Sequence, residues 1–270
     1  MPNTKDVSPL DYNIYALFKG PSGSGKTVGA LSFPGPIKLF DFDHKMPAIA
    51  VKHFRGKDIE YDTYRSTGEL YDELIPWFRE EKDCPFETII FDSITYLAML
   101  IMSTTAEIKG ETIDTLMKST INKKRGGNMI EPLSYDYYNS EVRFIEWLIG
   151  ITKVLYTRPG NPKNIIFTAH LIESKSKPNI ETKLVTVTRS IMSLGTKAPA
   201  IIPGAFDEIY MFGTSEEGFG DSQTKHMMFT QTTGEDDAKT AFNLAKMTDF
   251  TNKPLYDLLK AQLVGQEMFT

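Results

Sequence analysis

Cysteine is almost absent from this chain of 270 residues. Cys84 stands alone, so no intrachain disulfide can form, and the four histidines (His44, His53, His170, His226) are too scattered for a local zinc pattern. Long apolar runs are missing as well. The longest candidate, Ile94 to Met102, falls far short of the roughly 20 residues that a membrane span needs. The first residues, MPNTKDVSPLDYN, contain no apolar segment before a cleavage-like site, so a cytoplasmic protein without a membrane partner is expected. Neither sign of charge dominates: 30 basic against 35 acidic residues leave a net charge of −5. Contact with nucleic acid would therefore have to come from local basic patches rather than from the field of the whole molecule. Solenoid repeats and low-complexity tracts are lacking, and Gly and Pro fall as punctuation between apolar segments, which predicts one unit over residues 1–270.

What is present is enough apolar side chain, 41% of residues, to fill a core. Short apolar runs alternate with stretches of helical period. Ile14 to Phe18 ends at a Gly-rich turn, and Thr27 to Leu31 starts a helix that stops near Ser32-Phe33-Pro34. IKLFDF (Ile37 to Phe42), IEYDTY (Ile59 to Tyr64) and TIIFD (Thr88 to Asp92) read as strands, with a helix predicted near Leu70 to Glu80. Asn139 to Leu155 places Val142, Ile145, Leu148, Ile149 and Ile151 near the helical period and leads to a buried-type strand, Ile165 to Ala169. Phe206 to Phe212 and Met227 to Thr230 follow as strands with shorter connections, suited to antiparallel pairing at an edge. The alternation predicts an α/β fold: a mainly parallel sheet covered by helices on both faces.

The most specific signal is Gly20-Pro21-Ser22-Gly23-Ser24-Gly25-Lys26-Thr27, which matches G-x-x-x-x-G-K-[ST] at every fixed position between a predicted strand and a predicted helix. Glycines let backbone N–H groups turn inward around phosphates, and the helix N-terminus adds its positive end. Lys26 would neutralise the β and γ oxygens of a nucleotide, and the Thr27 hydroxyl would ligate Mg²⁺. The bland alternative is a Gly-rich surface turn with an exposed lysine. A second signal is Asp92, placed by TIIFD at the carboxyl end of a strand, where ligands of parallel sheets gather and where a carboxylate would hold the metal through a water. A third is Asp41-Phe42-Asp43-His44 at the end of the strand after the P-loop helix, with a solvated turn acid as the alternative reading. A fourth is the strand IIFTAH, ending on His170, which is otherwise a structural strand-end residue.

These segments together resemble the RecA-like branch of P-loop ATPases, and more narrowly the phage-encoded group of the single-strand-annealing and recombination type, an AAA-type set of nucleotide-binding proteins. The likeness spans most of the chain and rests on GPSGSGKT, PIKLFDFD, IIFDSITYL, IIFTAH, PGAFDEIYMF and DAKT in that order. The resemblance implies an ATP- and Mg²⁺-dependent hydrolase. Asp43 would be its general base, in place of the usual and longer Glu, with Asp41 the fallback, since period-two alternation turns both acids to one face. It also implies that His170 senses the γ-phosphate and that Lys239 reaches a neighbouring subunit's γ-phosphate, which requires a homo-oligomeric ring or filament. Ala241 stands where relatives tend to carry an arginine. The implied partners are single-stranded DNA and a single-strand-binding or annealing protein.

Two basic stretches are candidates for DNA. Residues 118–135 carry Lys118, Lys123, Lys124 and Arg125 without an acid up to Gly126-Gly127, and 171–200 carry Lys175, Lys177, Lys183, Arg189 and Lys197 against Glu173 and Glu181. Basic runs are usually only solvated faces. Tyr135, Tyr137 and Tyr138 are possible stacking residues, or supports for a helix entrance. Residues 205–237 hold eight acids against Lys225 alone and should repel phosphate. Two other functions stay open: a nucleotide-gated binding module with little hydrolysis, which the Asp-for-Glu change suits, and a small-molecule kinase. The kinase reading lacks its usual clamp, because no two arginines come closer than ten residues apart.

Overall fold

The structure is a computed structural model and describes residues 13–47, 54, 56–110, 135–175, 187–193, 197–217, 223–231 and 238–267. Nine strands form one mixed sheet: β1 (Tyr15–Gly20), β2 (Ile37–Asp41), β3 (Ile59–Asp62), β4 (Thr88–Asp92), β5 (Asn164–Lys175), β6 (Val187–Ile191), β7 (Glu208–Glu217), β8 (Gln223–Phe229) and β9 (Met247–Asp249). The order is β3-β2-β4-β5-β1-β7-β8-β9, with β6 paired to β5. All pairings from β3 through to β7 are parallel and β7–β8 is antiparallel, as the apolar runs predicted; β8–β9 and β5–β6 are antiparallel pairings that involve two strands not read from the sequence. The helices are α1 (Lys26–Ala30), α2 (Thr67–Phe78), α3 (Ile94–Ile108), α4 (Tyr135–Tyr156), α5 (Lys197–Ile201) and α6 (Leu255–Glu267). Among the described residues no helix is long and apolar enough to cross a membrane.

Period-two alternation sorts the strand side chains onto two cores. Tyr15, Leu17, Phe40, Phe91 and Phe167 face the side covered by α2, α3 and α4. Ala16, Phe18, Leu39, Ile90 and Ile166 face the side covered by α1 and α6. Register puts Phe40, Phe91 and Phe167 beside one another, and their rings stack at 4.7 and 4.5 Å between centroids. This aromatic ladder ties together β2 and β4, which end in Asp41 and Asp92, with β5, which carries Thr168 and His170. Ser66 caps α2 by accepting from the Glu69 N–H, while the Glu69 side chain accepts from the Arg65 N–H, a near-reciprocal box that fixes the start of the helix.

The sheet ends at β3 on one side, and this open edge is polar. Lys38, fully buried on β2, sends its ammonium between Glu60, Asp62 and Glu73 at 2.7, 2.5 and 2.6 Å. Burial alone would lower the Lys38 pKa, but hydrogen bonds to the three carboxylates raise it above its usual value. Among the described residues these carboxylates are the one group with the spacing of metal ligands, and the lysine occupies the cationic position.

Two strands differ from the sequence expectation. β5 does not stop at Ala169 but runs on to Lys175, so His170 sits in mid-strand opposite Gly20 rather than at a strand end. The continuous apolar pattern reports only the part that is buried on both faces. Beyond it LIESK leaves the parallel sheet and pairs with β6, where one-sided burial suffices. Of residues 171–200, 171–175 and 187–191 are thus paired strands and 197–200 belong to α5.

Candidate functional site

Parallel topology gathers the carboxyl ends of β1, β2, β4 and β5 at one rim, with Gly20 opposite His170 and Asp41 opposite Asp92. The Gly-rich loop leaves β1 there and feeds α1. A Cβ on Gly20 would collide with the Phe212 carbonyl oxygen of β7, so the loop can turn off the sheet only with glycine at that place. Gly25 has φ 93°, and a Cβ there would also lie 2.9 Å from the Phe250 ring. Lys26 folds back over the loop and donates to the Gly20 and Pro21 carbonyls at 2.9 and 2.8 Å, while Ser24 Oγ donates to Pro21 O at 2.8 Å. Burial pushes Lys26 down to about 8, partly opposed by the negative charge of Asp92.

Asp92 is buried and held by two hydroxyls. Thr27 Oγ1 donates to Oδ2 at 2.6 Å, and Thr168 of β5 donates to Oδ1. Desolvation, reinforced by repulsion from Asp43, raises the Asp92 pKa against those bonds and the nearby Lys26 charge. A hydroxyl and a carboxylate side by side below a glycine cradle form a hard-oxygen donor set, which suits Mg²⁺. The residues present therefore fit that ion.

Asp43 lies in the turn just past β2, and its side chain is only 2% exposed. Ser93 Oγ donates to Oδ1 at 2.9 Å, and Oδ2 meets His170 Nε2 at 3.2 Å and Lys45 Nζ at 2.7 Å. Burial alone would raise this carboxyl, but the hydrogen bonds from His170, Lys45 and Ser93 outweigh it and hold Asp43 below the usual range. Asp41, the fallback acid, is spent elsewhere. Its carboxylate accepts the backbone N–H groups of Lys45 and Met46 at 3.2 and 2.8 Å and fixes the turn. The expected shared face fails because β2 ends at Asp41, so alternation does not extend to Asp43.

A cavity of about 510 Å³ joins these groups, lined by Ser22, Gly23, Gly25, Lys26 and Thr27 of the loop, by Asp43, Lys45 and His170 at one end, and by Thr224, His226, Phe250 and Thr251 at the other. A second cavity of about 420 Å³ shares Val28, Phe250 and Thr251 with it and runs on past Lys57 and Pro254. Sequence reasoning missed Lys45, Ser93, Thr168, His226, Phe250 and Thr251. Ser93 and Thr168 sit inside quoted motifs and Lys45 directly follows one, each two residues or fewer from a residue already singled out. The last three come from the β8–β9 side with no fixed spacing to the loop. His226 Nδ1 is buried without a hydrogen-bond partner on this wall, an orphan polar atom beside the cradle. A further cavity on the far side of Pro21, between β5 and β7, contains Glu173 and Arg189 as its charged lining residues, and these face each other at 3.5 Å. It contains none of the acid groups described above.

Lys239 lies apart from this cavity. It is exposed and bridges to Ile209 of β7 through backbone hydrogen bonds of 2.8 and 3.0 Å. Arg189 is paired with Glu173, so it is not a spare cation. Lys123, Lys124, Arg125, Lys177 and Lys183 lie outside the described residues, and Lys175 is placed only by its backbone at the end of β5. Tyr137 is buried under the Lys109 ammonium, 5.0 Å from the ring centre, and so supports the helix start instead of offering a stacking face. The acidic stretch is also less of a surface than its composition suggests, because Glu208 is buried and accepts from Tyr210 and from the Ala241 N–H.

Comparison with known proteins agrees with this geometry. No curated protein matches the chain. The sequence model of a family described as AAA domain matches residues 13–242, the span from the start of β1 to just beyond Lys239. With a glycine cradle, a buried lysine and a hydroxyl–carboxylate pair at the rim of a mainly parallel sheet, the chain belongs to the AAA-domain family and is a nucleotide-binding P-loop ATPase domain.

Proposed function

We propose that the chain is a Mg²⁺-dependent ATPase of phage DNA recombination or single-strand annealing, working in the host cytoplasm, with its nucleotide state coupled to single-stranded DNA or to an annealing partner. The observation that carries the hydrolytic part is the meeting of Asp43, held by Ser93 and His170, with Lys26 and Thr27 in one cavity. Thr27 and Asp92 would hold Mg²⁺, which supplies charge neutralisation at the phosphates. Lys26 binds the β and γ oxygens. Asp43 takes a proton from the attacking water as that oxygen bonds to the γ-phosphorus and the bond to the bridging β–γ oxygen breaks, giving ADP and phosphate. His170 orients Asp43 by its ring nitrogen. Among the described residues that line the cavity there is no arginine, which disfavours a small-molecule kinase.

Support for DNA coupling comes from chain continuity. His170 lies on the strand that ends at Lys175 and leads into the stretch bearing Lys177 and Lys183. Lys239, exposed and remote from its own cavity, suits a role in a neighbouring subunit's site within a ring or filament. A second reading, a nucleotide-gated binding module with little turnover, is favoured by one observation: Asp43 is held at depressed basicity by three donors. Turnover measured with and without single-stranded DNA, beside native mass with and without an ATP analogue, tests the proposal. DNA is expected to raise the rate severalfold and the analogue to shift the mass to an oligomer. A DNA-insensitive rate from an unchanged monomer would remove the recombination role.

Nucleotide affinity should also depend on pH through Lys26. Below about pH 8 the ammonium is already charged, whereas above it the neutral amine must take up a proton when phosphate oxygens restore its ordinary basicity. Affinity for an ATP analogue is therefore expected to fall by up to about tenfold per pH unit above 8, with close to one proton absorbed. Calorimetry in buffers of different ionisation enthalpy reads both. A flat profile from pH 7 to 9.5 would show that Lys26 does not meet the phosphates.

A further inference from the structure

Lys45 is a cation that neither the P-loop pattern nor the family match assigns. Its ammonium contacts Asp43 Oδ2 at 2.7 Å and sits 5.5 Å from the Tyr96 ring centre, and its side chain is 44% exposed into the same cavity as Lys26. The cavity has a direction. At Phe250 and Thr251 it shares its lining with the second cavity, which gives room for a base and sugar, whereas Asp43, His170 and Lys45 line the first cavity alone. A triphosphate lying across Lys26 and Thr27 with its base toward Phe250 presents its last phosphate to Lys45.

Asp43 has little room for a water while Lys45 holds it. Ser93 takes one lone pair on Oδ1, and His170 and Lys45 take both on Oδ2. We infer that Lys45 moves from Asp43 to the γ-phosphate when ATP binds, so that one side chain both recognises the terminal phosphate and frees the Asp43 oxygen that receives the water. The inference rests on the proposed nucleotide site and adds its discrimination between ATP and ADP. It also gives the chain a second cation in cis, where Ala241 offers none in the segment around Lys239.

The test compares Lys45→Met and Lys45→Arg with the unsubstituted protein in binding ADP and a slowly hydrolysed triphosphate analogue. Lys45→Met is expected to lose about tenfold to a hundredfold in triphosphate affinity while ADP affinity stays within about twofold, and Lys45→Arg is expected to keep most of the difference. Equal loss of both nucleotides, or loss of neither with a lower melting temperature, would reduce Lys45 to a structural counter-charge and overturn the inference while leaving the nucleotide site intact. Failure of the unsubstituted protein to bind either nucleotide would overturn the site reading, and the inference with it.

Discussion

Asp43→Asn is expected to lower ATP turnover by about a hundredfold to a thousandfold while Mg-ATP affinity stays within a few-fold of the unsubstituted protein. Asparagine keeps the shape, and its amide oxygen still accepts from Ser93 or His170, so the turn past β2 should hold. What disappears is an oxygen able to take a proton from water at neutral pH. Single-turnover assays beside equilibrium binding separate the two effects. A variant that hydrolyses at the original rate would remove Asp43 from the chemistry, and with Asp41 committed to the backbone N–H groups of Lys45 and Met46 no other acid of that turn would replace it.

Lys26→Ala should have the largest effect on binding. The ammonium is buried, donates two hydrogen bonds to the loop that it folds over, and is the side chain of the cradle with the charge to meet phosphate. Charge-assisted bonds of this kind contribute roughly 1.5–3 kcal/mol each, so losing the contacts to two phosphates should weaken Mg-ATP binding by at least about a hundredfold. The Gly20 and Pro21 carbonyls would also lose their donor. A fall of a few degrees in melting temperature is then expected, and it gives an internal control: a protein that stays folded but binds nucleotide normally would contradict the role of Lys26.

Much of the rim was legible in the sequence, and for a physical reason. Strands buried on both faces are mostly apolar, so IKLFD, TIIFD and IIFTA announce themselves, and the polar residues that close or follow each run, Asp43, Asp92 and His170, fall at the rim. The P-loop was legible because glycine is forced at Gly20 and Gly25 by contacts that any side chain would violate. The rest depends on pairing in space. Lys45 reads as one more surface lysine until the turn brings it to Asp43, and Thr168 reads as a neutral strand residue until register sets it beside Asp92. His226 and Phe250 lie some 200 residues from the loop that they wall, and no spacing rule connects them to it. The length of β5 was misjudged because its outer half leaves the parallel sheet and no longer needs an apolar residue at every position.

The polar border strand β3 has a consequence for self-association. Three carboxylates around one ammonium leave two negative charges there, and Glu60 and Asp62 point outward from the last paired strand. Two copies approaching border to border would press like charges together, which guards the unsatisfied backbone against uncontrolled strand addition and fibril growth. Any orderly stacking of subunits through this border must instead bring lysine or arginine to it, so polymer polarity would be written in the sign of the incoming segment.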